Sequence, residues 1–172
     1  MRRLMLLRHA KSDWPAGVAD FERPLAARGH EAAPLMARYM AAEGLVPDLA
    51  LVSSARRTRE TWGLLAPALG DVKVKFEPRI YNASVDGLLS LLSEVGEDVG
   101  TVLVVGHNPG MAELTLLLSG AGDRRALAAV QRKYPTAALS VVRLDGGWAD
   151  VAPFKGRLER FVTPKSLGGE DD

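Results

Sequence analysis

The feature that most constrains this chain is a set of short, uninterrupted apolar runs, each followed at once by polar residues. The clearest runs are residues 4–7, 49–52 and 102–105. Apolar runs of this length without polar alternation are typical of strands that are buried on both faces, as in a parallel sheet. Helices must cover both faces of such a sheet, so we expect an α/β protein.

Helical segments are predicted between these strands. The apolar spacing predicts helices ending near residue 43, over residues 54–69 and 84–95, and from residue 109 to about 118, with a shorter one near 124–130. A further strand is expected near 72–76. Residues 138–144 and 148–152, joined by Asp-Gly-Gly, predict an antiparallel hairpin. The predicted fold is a mostly parallel central sheet with helices on both faces and an antiparallel C-terminal hairpin.

The length and composition limit the classes of protein. A chain of 172 residues fits one domain, which we assign to residues 1–167, with the acidic residues 168–172 as a frayed tail. A net charge of +1 gives no general attraction for nucleic acid or an anionic membrane. The absence of cysteine excludes disulfides, thiolate catalysis and cysteine-ligated zinc.

No metal and no cofactor are expected. The three histidines lack the His-Glu-x-x-His spacing of a zinc site, and no glycine-rich phosphate loop follows the first strand. Near the amino terminus only residues 4–7 form an apolar run, which is too short for a secretory signal or a membrane span. We therefore expect a cytoplasmic protein, and we expect it to be a monomer.

Two histidines and two arginines follow the predicted strands. Arg8 and His9 follow the first run, Arg57 lies shortly after the second, and His107 follows the third. Ligands of parallel sheets bind at the carboxyl ends of strands, so these four side chains are expected to converge. Imidazole can act as a nucleophile, and guanidinium binds phosphate oxygens in pairs. The pattern predicts a phosphoryl-transfer site.

The arginines after the second strand break a local rule. Ser53 and Ser54 are both suitable caps for the helix that follows. If Ser54 is the cap, then Arg56, Arg57 and Arg59 lie in the first turn, where the helix dipole disfavours cations. An anion bound there would offset this cost. We expect one or two of the three arginines to point into solvent instead.

Several motifs together resemble one known family. The histidine phosphatase superfamily, with its phosphoglycerate-mutase-like fold, has similar motifs to Arg8-His9, to Ser-x-x-x-Arg-x-x-x-Thr at 53–61 and to Gly-His-Asn-Pro-Gly at 106–110. Its SixA-type phosphohistidine phosphatase branch resembles this chain further at residues 20–29, 81–84 and 134–139.

The resemblance implies a role for each of the four residues. His9 would be the nucleophile and form a phosphohistidine intermediate, while Arg8, Arg57 and His107 would bind the phosphoryl oxygens. The usual Arg-His-Gly is replaced by Arg8-His9-Ala10, a small-for-small change that the loop should tolerate. Nucleophilic attack needs neutral imidazole, and the nearby guanidinium charges are expected to lower the pKa of His9.

Larger members of the family use an acidic residue to protonate the leaving oxygen, and no motif marks one here. Glu77, Glu22 and Asp13 are candidates, of which we name Glu77 first. A phosphohistidine imidazole can leave with its other nitrogen already protonated, whereas an alkoxide needs a proton. The lack of a marked acid therefore favours P–N substrates.

The function expected from these features is a metal-independent phosphatase for protein phosphohistidine, with a signalling protein as the partner. Two alternatives stay open. One is an enzyme for small phosphate esters, either a phosphatase or a mutase, although a mutase usually needs extra loops to exclude water. The other is a phosphate-binding module without turnover, which would have no need of two histidines in matching positions.

Overall fold

The computed structural model describes residues 1–172, and a mixed sheet of seven strands lies at its centre. The strands are β1 (Arg2–Arg8), β2 (Leu49–Ser53), β3 (Lys73–Glu77), β4 (Thr101–Gly106), β5 (Ser119–Gly122), β6 (Leu139–Leu144) and β7 (Gly156–Val162). Their order in the sheet is β3-β2-β4-β1-β6-β7-β5. The first four strands are mutually parallel, and β6 runs antiparallel to both β1 and β7. The predicted α/β class with a mostly parallel sheet is confirmed.

Five helices cover the two faces of the sheet. They are α1 (Ala27–Ala42), α2 (Arg56–Leu69), α3 (Val85–Ser93), α4 (Gly110–Leu118) and α5 (Arg124–Arg132). One face carries α1 and α2, and the other carries α3, α4 and α5. None of the helices is both long and apolar enough to cross a bilayer.

Strand β1 is apolar at successive positions because both of its faces are buried. Leu4 and Leu6 belong to the core under α3, α4 and α5, whereas Met5 and Leu7 belong to the core under α1 and α2. Side chains alternate between the two faces of a strand, and here both faces are buried. All four residues are fully inaccessible to solvent. The run therefore places Arg8 at a fixed point, where the strand leaves the core.

The strand order brings three loops together. Strand β4 lies between β1 and β2, and all three are parallel, so their carboxyl ends meet at one edge of the sheet. The residues that follow these strands, on which the predicted site depends, are thus neighbours in space.

The predicted hairpin is wrong in its second strand. The partner of β6 is β7, and Trp148–Asp150 forms a 3-10 turn. Trp148 is fully buried, and its indole N–H donates to the carbonyl of Val99 over 2.7 Å. Burial of this large side chain holds the segment against the core, so the chain reaches its strand partner only at residue 156. Strand β5, with the sequence Ser-Gly-Ala-Gly, carries no apolar alternation and was not predicted.

The predicted helix caps also differ from the structure. Helix α2 has Ala55 rather than Ser53 or Ser54 at its N-cap, and the N-cap of α4 is Pro109. Neither cap side chain makes a capping hydrogen bond. The segment expected to be frayed contacts the domain, because the Asp172 carboxylate accepts a 2.9 Å hydrogen bond from the Thr136 N–H.

Candidate active site

The structure brings the four predicted residues together at the carboxyl edge of the sheet. Arg8 ends β1 and His9 follows it, His107 follows β4, and Arg57 lies in the first turn of α2. The ring centroids of His9 and His107 are 5.4 Å apart. Both guanidinium groups are close enough to lower the pKa of each histidine. Arg56 and Arg59 are exposed, as expected for two of the three arginines.

His9 is held by the main chain on both sides. Its N–H donates to the carbonyl of Gly106 over 3.0 Å, and its carbonyl accepts from the N–H of Ala137 over 3.0 Å. The His9 Nδ1 atom lies 2.7 Å from the carbonyl oxygen of Ala10. A carbonyl oxygen only accepts, so Nδ1 carries the proton and Nε2 has a free lone pair in the neutral ring.

The pKa of His9 is lowered to about 3. Burial is the largest cause, because the side chain has lost most of its contact with water and the charged ring is penalised. The hydrogen bond to Ala10 acts in the opposite direction, and the charges of His107, Arg8 and Arg57 add to the lowering. The sequence predicted the direction correctly but named the smaller cause. His9 is therefore neutral at neutral pH, which is the form of imidazole that can act as a nucleophile.

His107 is oriented by a serine from the neighbouring strand. Its Nε2 atom lies 2.8 Å from the Oγ of Ser53, the last residue of β2. Burial, followed by the charge of Arg57, lowers the pKa of His107 to about 4, while Asp20 opposes this shift. Ser53 was expected to cap α2, and its contact with His107 was not predicted.

Arg57 is fixed by a loop residue. Its Nη1 donates to the carbonyl of Asp20 over 2.8 Å, and its Nη2 donates to the Asp20 carboxylate over 3.2 Å. The same carboxylate accepts from the hydroxyl of Tyr81 and from Arg23. These hydrogen bonds, Tyr81 first, lower the pKa of Asp20 to about 2, so this carboxyl is ionised at neutral pH. Nothing in the local sequence marks Asp20 as a partner of Arg57.

Arg8 is held mainly by a main-chain carbonyl. Its Nη1 donates to the carbonyl of Tyr134 over 3.0 Å, and the amide of Asn108 donates to the same oxygen over 2.9 Å. The Asp172 carboxylate lies 3.7 Å from Nη1, beyond hydrogen-bond length. Burial is the main cause that lowers the pKa of Arg8, but a guanidinium stays charged in proteins.

Thr61 links the segment that carries His9 to the first turn of α2. Its hydroxyl donates to the carbonyl of Arg57 over 2.7 Å and accepts from the N–H of Ala10 over 3.0 Å. The hydroxyl therefore fixes the turn that carries His9 relative to the first turn of α2, where Arg57 lies. These contacts explain the spacing of Arg57 and Thr61.

Three nitrogens of the site are buried without a hydrogen-bond partner in the protein. They are Arg8 Nε, Arg57 Nε and His107 Nδ1. Buried polar groups are rarely left unpaired, because each costs about 1–3 kcal/mol. Two of the three are obligatory donors that carry positive charge. The arrangement suits an anion with several acceptor oxygens that binds next to His9 Nε2.

The position of Glu77 argues against its being the general acid. Its carboxylate accepts from the side chain of Arg79 at 3.0 and 3.1 Å and lies 3.6 Å from Lys75. The hydrogen bond from Arg79 is the main cause that lowers the pKa of Glu77 to about 2, so it holds no proton to donate at neutral pH. The other two candidates, Glu22 and Asp13, are exposed, and neither carboxylate forms a hydrogen bond or an ion pair.

Comparisons with known proteins agree with this arrangement. The family model described as the histidine phosphatase superfamily (branch 1) matches residues 4–91. An uncharacterized protein of Mycobacterium tuberculosis strain H37Rv is 37% identical over 161 residues, covering 92% of this chain and 100% of that protein. An uncharacterized chloroplastic protein of Arabidopsis thaliana is 33% identical over 180 residues, covering 96% of this chain and 79% of its own.

Solved structures give the same result. The "putative phosphohistidine phosphatase SixA" of Agrobacterium tumefaciens superposes with a TM-score of 0.82 and 32% identity, covering 95% of this chain and 98% of its own. The protein histidine phosphatase SixA in complex with tungstate has a TM-score of 0.78 and 22% identity, covering 96% of this chain and 99% of its own, and supports the fold alone.

Proposed function

The chain belongs to the histidine phosphatase superfamily and is of its SixA type, and from this premise we propose that it removes phosphoryl groups from protein phosphohistidine through a covalent intermediate on His9. The observation that carries the proposal is the set of unpartnered nitrogens on Arg8, Arg57 and His107, three residues that lie close enough to His9 to lower its pKa. The name of the Agrobacterium protein supports the choice of substrate.

The first step forms a bond between His9 Nε2 and phosphorus. The bond from phosphorus to the leaving nitrogen breaks, and its electron pair goes to the leaving imidazole. The proton on His9 Nδ1 stays in place, shared with the carbonyl of Ala10, and supports the positive ring that results. In the second step water attacks phosphorus, the P–Nε2 bond breaks, and its electron pair returns to His9. The water's protons remain with phosphate and solvent.

Charge stabilisation in both steps falls to the arginines. Phosphoryl transfer spreads negative charge over the equatorial oxygens, so fixed positive donors supply much of the rate enhancement. The Nε–H groups of Arg8 and Arg57 have no partner in the protein, and we assign them to the phosphoryl oxygens. If the hydroxyl of Ser53 donates to Nε2 of His107, the neutral ring carries its proton on Nδ1 and becomes a third donor.

The preference for P–N substrates follows from the carboxylates of the site. An alkoxide leaving group needs a proton, and a general acid would have to hold one at neutral pH. Asp20, the carboxylate in contact with Arg57, has a pKa lowered to about 2, chiefly by the hydrogen bond from Tyr81. An imidazole leaving group with its other nitrogen protonated does not need this help.

Replacement of the nucleophile is the first test. His9→Ala is expected to abolish hydrolysis of para-nitrophenyl phosphate and of a phosphohistidine peptide, whereas His30→Ala, at an exposed position of α1, should retain it. Substantial activity in the His9→Ala variant would refute the assignment of the nucleophile.

Trapping the intermediate is the second test. Phosphate label transferred to the protein should be lost in acid and survive alkali, as a phosphoramidate does. The substrate class is tested by comparing kcat/KM on a phosphohistidine peptide with that on sugar phosphates. A preference for sugar phosphates would favour a phosphatase for small esters instead.

A further inference from the structure

The acidic segment 170–172 lies on a group of basic residues beside the candidate active site. We call Arg8, Lys11, Arg28 and Lys133 the basic rim. The Glu170 carboxylate lies 3.1 Å from Arg28 Nε, and the same guanidinium donates to the carbonyl of Asp171 over 3.1 Å. The segment thus has contacts with the domain at each of its residues, since Asp172 contacts Thr136 and Arg8.

The contact of Asp172 is the one that reaches the catalytic groups. Its Oδ1 accepts from the N–H of Thr136, and the next residue, Ala137, donates to the carbonyl of His9. Its Oδ2 faces Arg8, and its side chain is only 17% exposed. The segment therefore lies beside Arg8 Nη1, whereas the Nε of the same side chain is buried without a partner in the protein.

Charge complementarity accounts for this position. Burial alone would raise the pKa of Asp172, but the hydrogen bond from Thr136 and the charges of Arg8, Lys11 and Lys133 hold it below its ordinary value. The carboxylate is thus ionised among three cations. The ion pair with Arg8 at 3.7 Å is long and partly exposed, and contacts of this kind are weak. A carboxylate is therefore favoured at this place, and the ion pair with Arg8 adds little to holding Asp172 there.

A groove continues from the same surface. Its volume is about 460 Å³, and its lining includes Arg132, Lys133, Lys165 and Asp171. It begins beside Pro135, one residue from the carbonyl that holds Arg8. A polypeptide whose phosphorylated side chain enters the pocket would have room in this groove for further acidic residues.

We propose that the acidic segment 170–172 is an internal competitor for the basic rim, and that the rim recognises acidic residues flanking the phosphohistidine of the substrate protein. The second part rests on the proposed function. Binding of such a substrate requires the segment to leave. Only the molecules whose rim is free can bind it, so the apparent affinity is lower than the intrinsic affinity.

The test uses a triple variant, Glu170→Gln, Asp171→Asn and Asp172→Asn, which keeps the size of each side chain and removes its charge. A matched control, Asp98→Asn with Asp145→Asn and Asp150→Asn, removes three exposed carboxylates near the opposite edge of the sheet. Two phosphohistidine peptides of equal length are compared, one with acidic and one with neutral flanks.

For the acidic peptide, the KM of the triple variant should fall about threefold to tenfold, with kcat changed less than twofold, because the competing charges are gone. The neutral peptide and the control variant should show less than a twofold change. The difference in KM for the acidic peptide between the wild-type protein and the triple variant should shrink in 0.5 M salt, about three times physiological ionic strength. An unchanged KM for the acidic peptide, or an equal fall with neutral flanks or in the control, would overturn the proposal.

A binding measurement separates this proposal from the proposed function. A peptide of residues 165–172 with blocked ends should bind the triple variant, and should bind the wild-type protein more weakly because its own segment is in place. If no phosphorylated substrate is hydrolysed, the proposed function fails, while peptide binding still decides whether the rim accepts an acidic segment. Equal binding to both proteins, or binding to neither, would contradict the competitor role.

Discussion

The two arginines of the site are held in different ways, although both lie close enough to His9 to lower its pKa. Arg57 has a main-chain carbonyl and a carboxylate from one residue, Asp20, and both contacts are hydrogen bonds of 3.2 Å or less. Arg8 has one hydrogen bond, to the carbonyl of Tyr134, and an ion pair with Asp172 at 3.7 Å. One carboxylate belongs to a loop tied to the site, and the other to the acidic segment 170–172.

This difference gives the two carboxylates different roles: Asp20 orients an arginine, whereas Asp172 occupies a surface that a substrate would use. Asp20 is itself bound by Tyr81 and Arg23, so it fixes the direction of the Arg57 guanidinium before any substrate arrives. Asp172 adds nothing of this kind to Arg8, whose direction is already set by Tyr134. Removal of Asp20 should therefore harm the chemical step, whereas removal of Asp172 should chiefly affect binding.

The largest effect is expected from loss of the Arg57 guanidinium. If Arg57 binds the phosphoryl group as proposed, Arg57→Ala should lower kcat about 100- to 1,000-fold, by analogy with loss of a transition-state donor, because an N–H without a partner in the protein is removed. Arg56→Ala is the matched control, since that side chain is exposed and pairs only with Glu60. Steady-state kinetics on para-nitrophenyl phosphate measure both. A fall below tenfold for Arg57→Ala would show that Arg8 alone clamps the phosphoryl group.

The lowered pKa values of His9 and His107 predict that the protein is less stable at mildly acid pH. The folded pKa values are lowered to about 3 for His9 and about 4 for His107, mainly by burial, whereas an unfolded histidine titrates near 6.5. Below pH 6.5 the unfolded chain binds more protons, so stability falls as the pH falls. Between pH 6.5 and pH 5, each histidine should lower the free energy of unfolding by about 1.5 kcal/mol.

Chemical denaturation at several pH values checks this dependence. His9→Asn and His107→Asn should each remove part of the fall, and His30→Asn, at an exposed position, should leave it unchanged. A wild-type protein equally stable at pH 6.5 and 5 would mean that the site is more open to water than the structure indicates.

The contrast between Asp20 and Asp172 can be tested directly. Asp20→Ala removes a charge-assisted hydrogen bond to Arg57 and should lower kcat about tenfold, which corresponds to about 1.4 kcal/mol. Asp172→Asn should leave kcat within about twofold, as expected for a partly exposed ion pair. Equal losses of kcat in both variants would mean that the two carboxylates position their arginines alike.

The sequence was sufficient to predict the centre of the site. His9, Arg57 and His107 follow strands whose four-residue apolar cores leave little freedom of register, and the parallel order then brings their ends together. The contacts that tune these residues were not predictable in this way. Asp20 and Arg57 are 37 positions apart, and Asp20 lies in a loop whose path has no periodic pattern.

Two errors have the same origin. Ser53 has the chemistry of a helix cap, and only the neighbouring strand reveals that its hydroxyl lies against His107. The segment around Trp148 has the composition of a strand, and only the core beneath it shows that the indole is buried in a turn. In both cases a tertiary contact, invisible to local spacing, decided between two locally acceptable structures.

The smallest effect concerns Tyr81, which connects Asp20 with His107. Its hydroxyl donates to the Asp20 carboxylate, and its ring lies edge-on to His107 with centroids 5.6 Å apart. Tyr81→Phe keeps the ring and removes only the hydroxyl, so kcat should fall about threefold, the equivalent of one modest hydrogen bond. The double variant Tyr81→Phe with Asp20→Ala completes a cycle with the single variants. If the hydroxyl acts only by holding Asp20, the double variant should be no slower than Asp20→Ala alone. If the double variant instead loses kcat by the product of the two single losses, Tyr81 acts independently of Asp20. Its hydroxyl would then have a contact of its own with the substrate, in addition to its part in orienting Arg57.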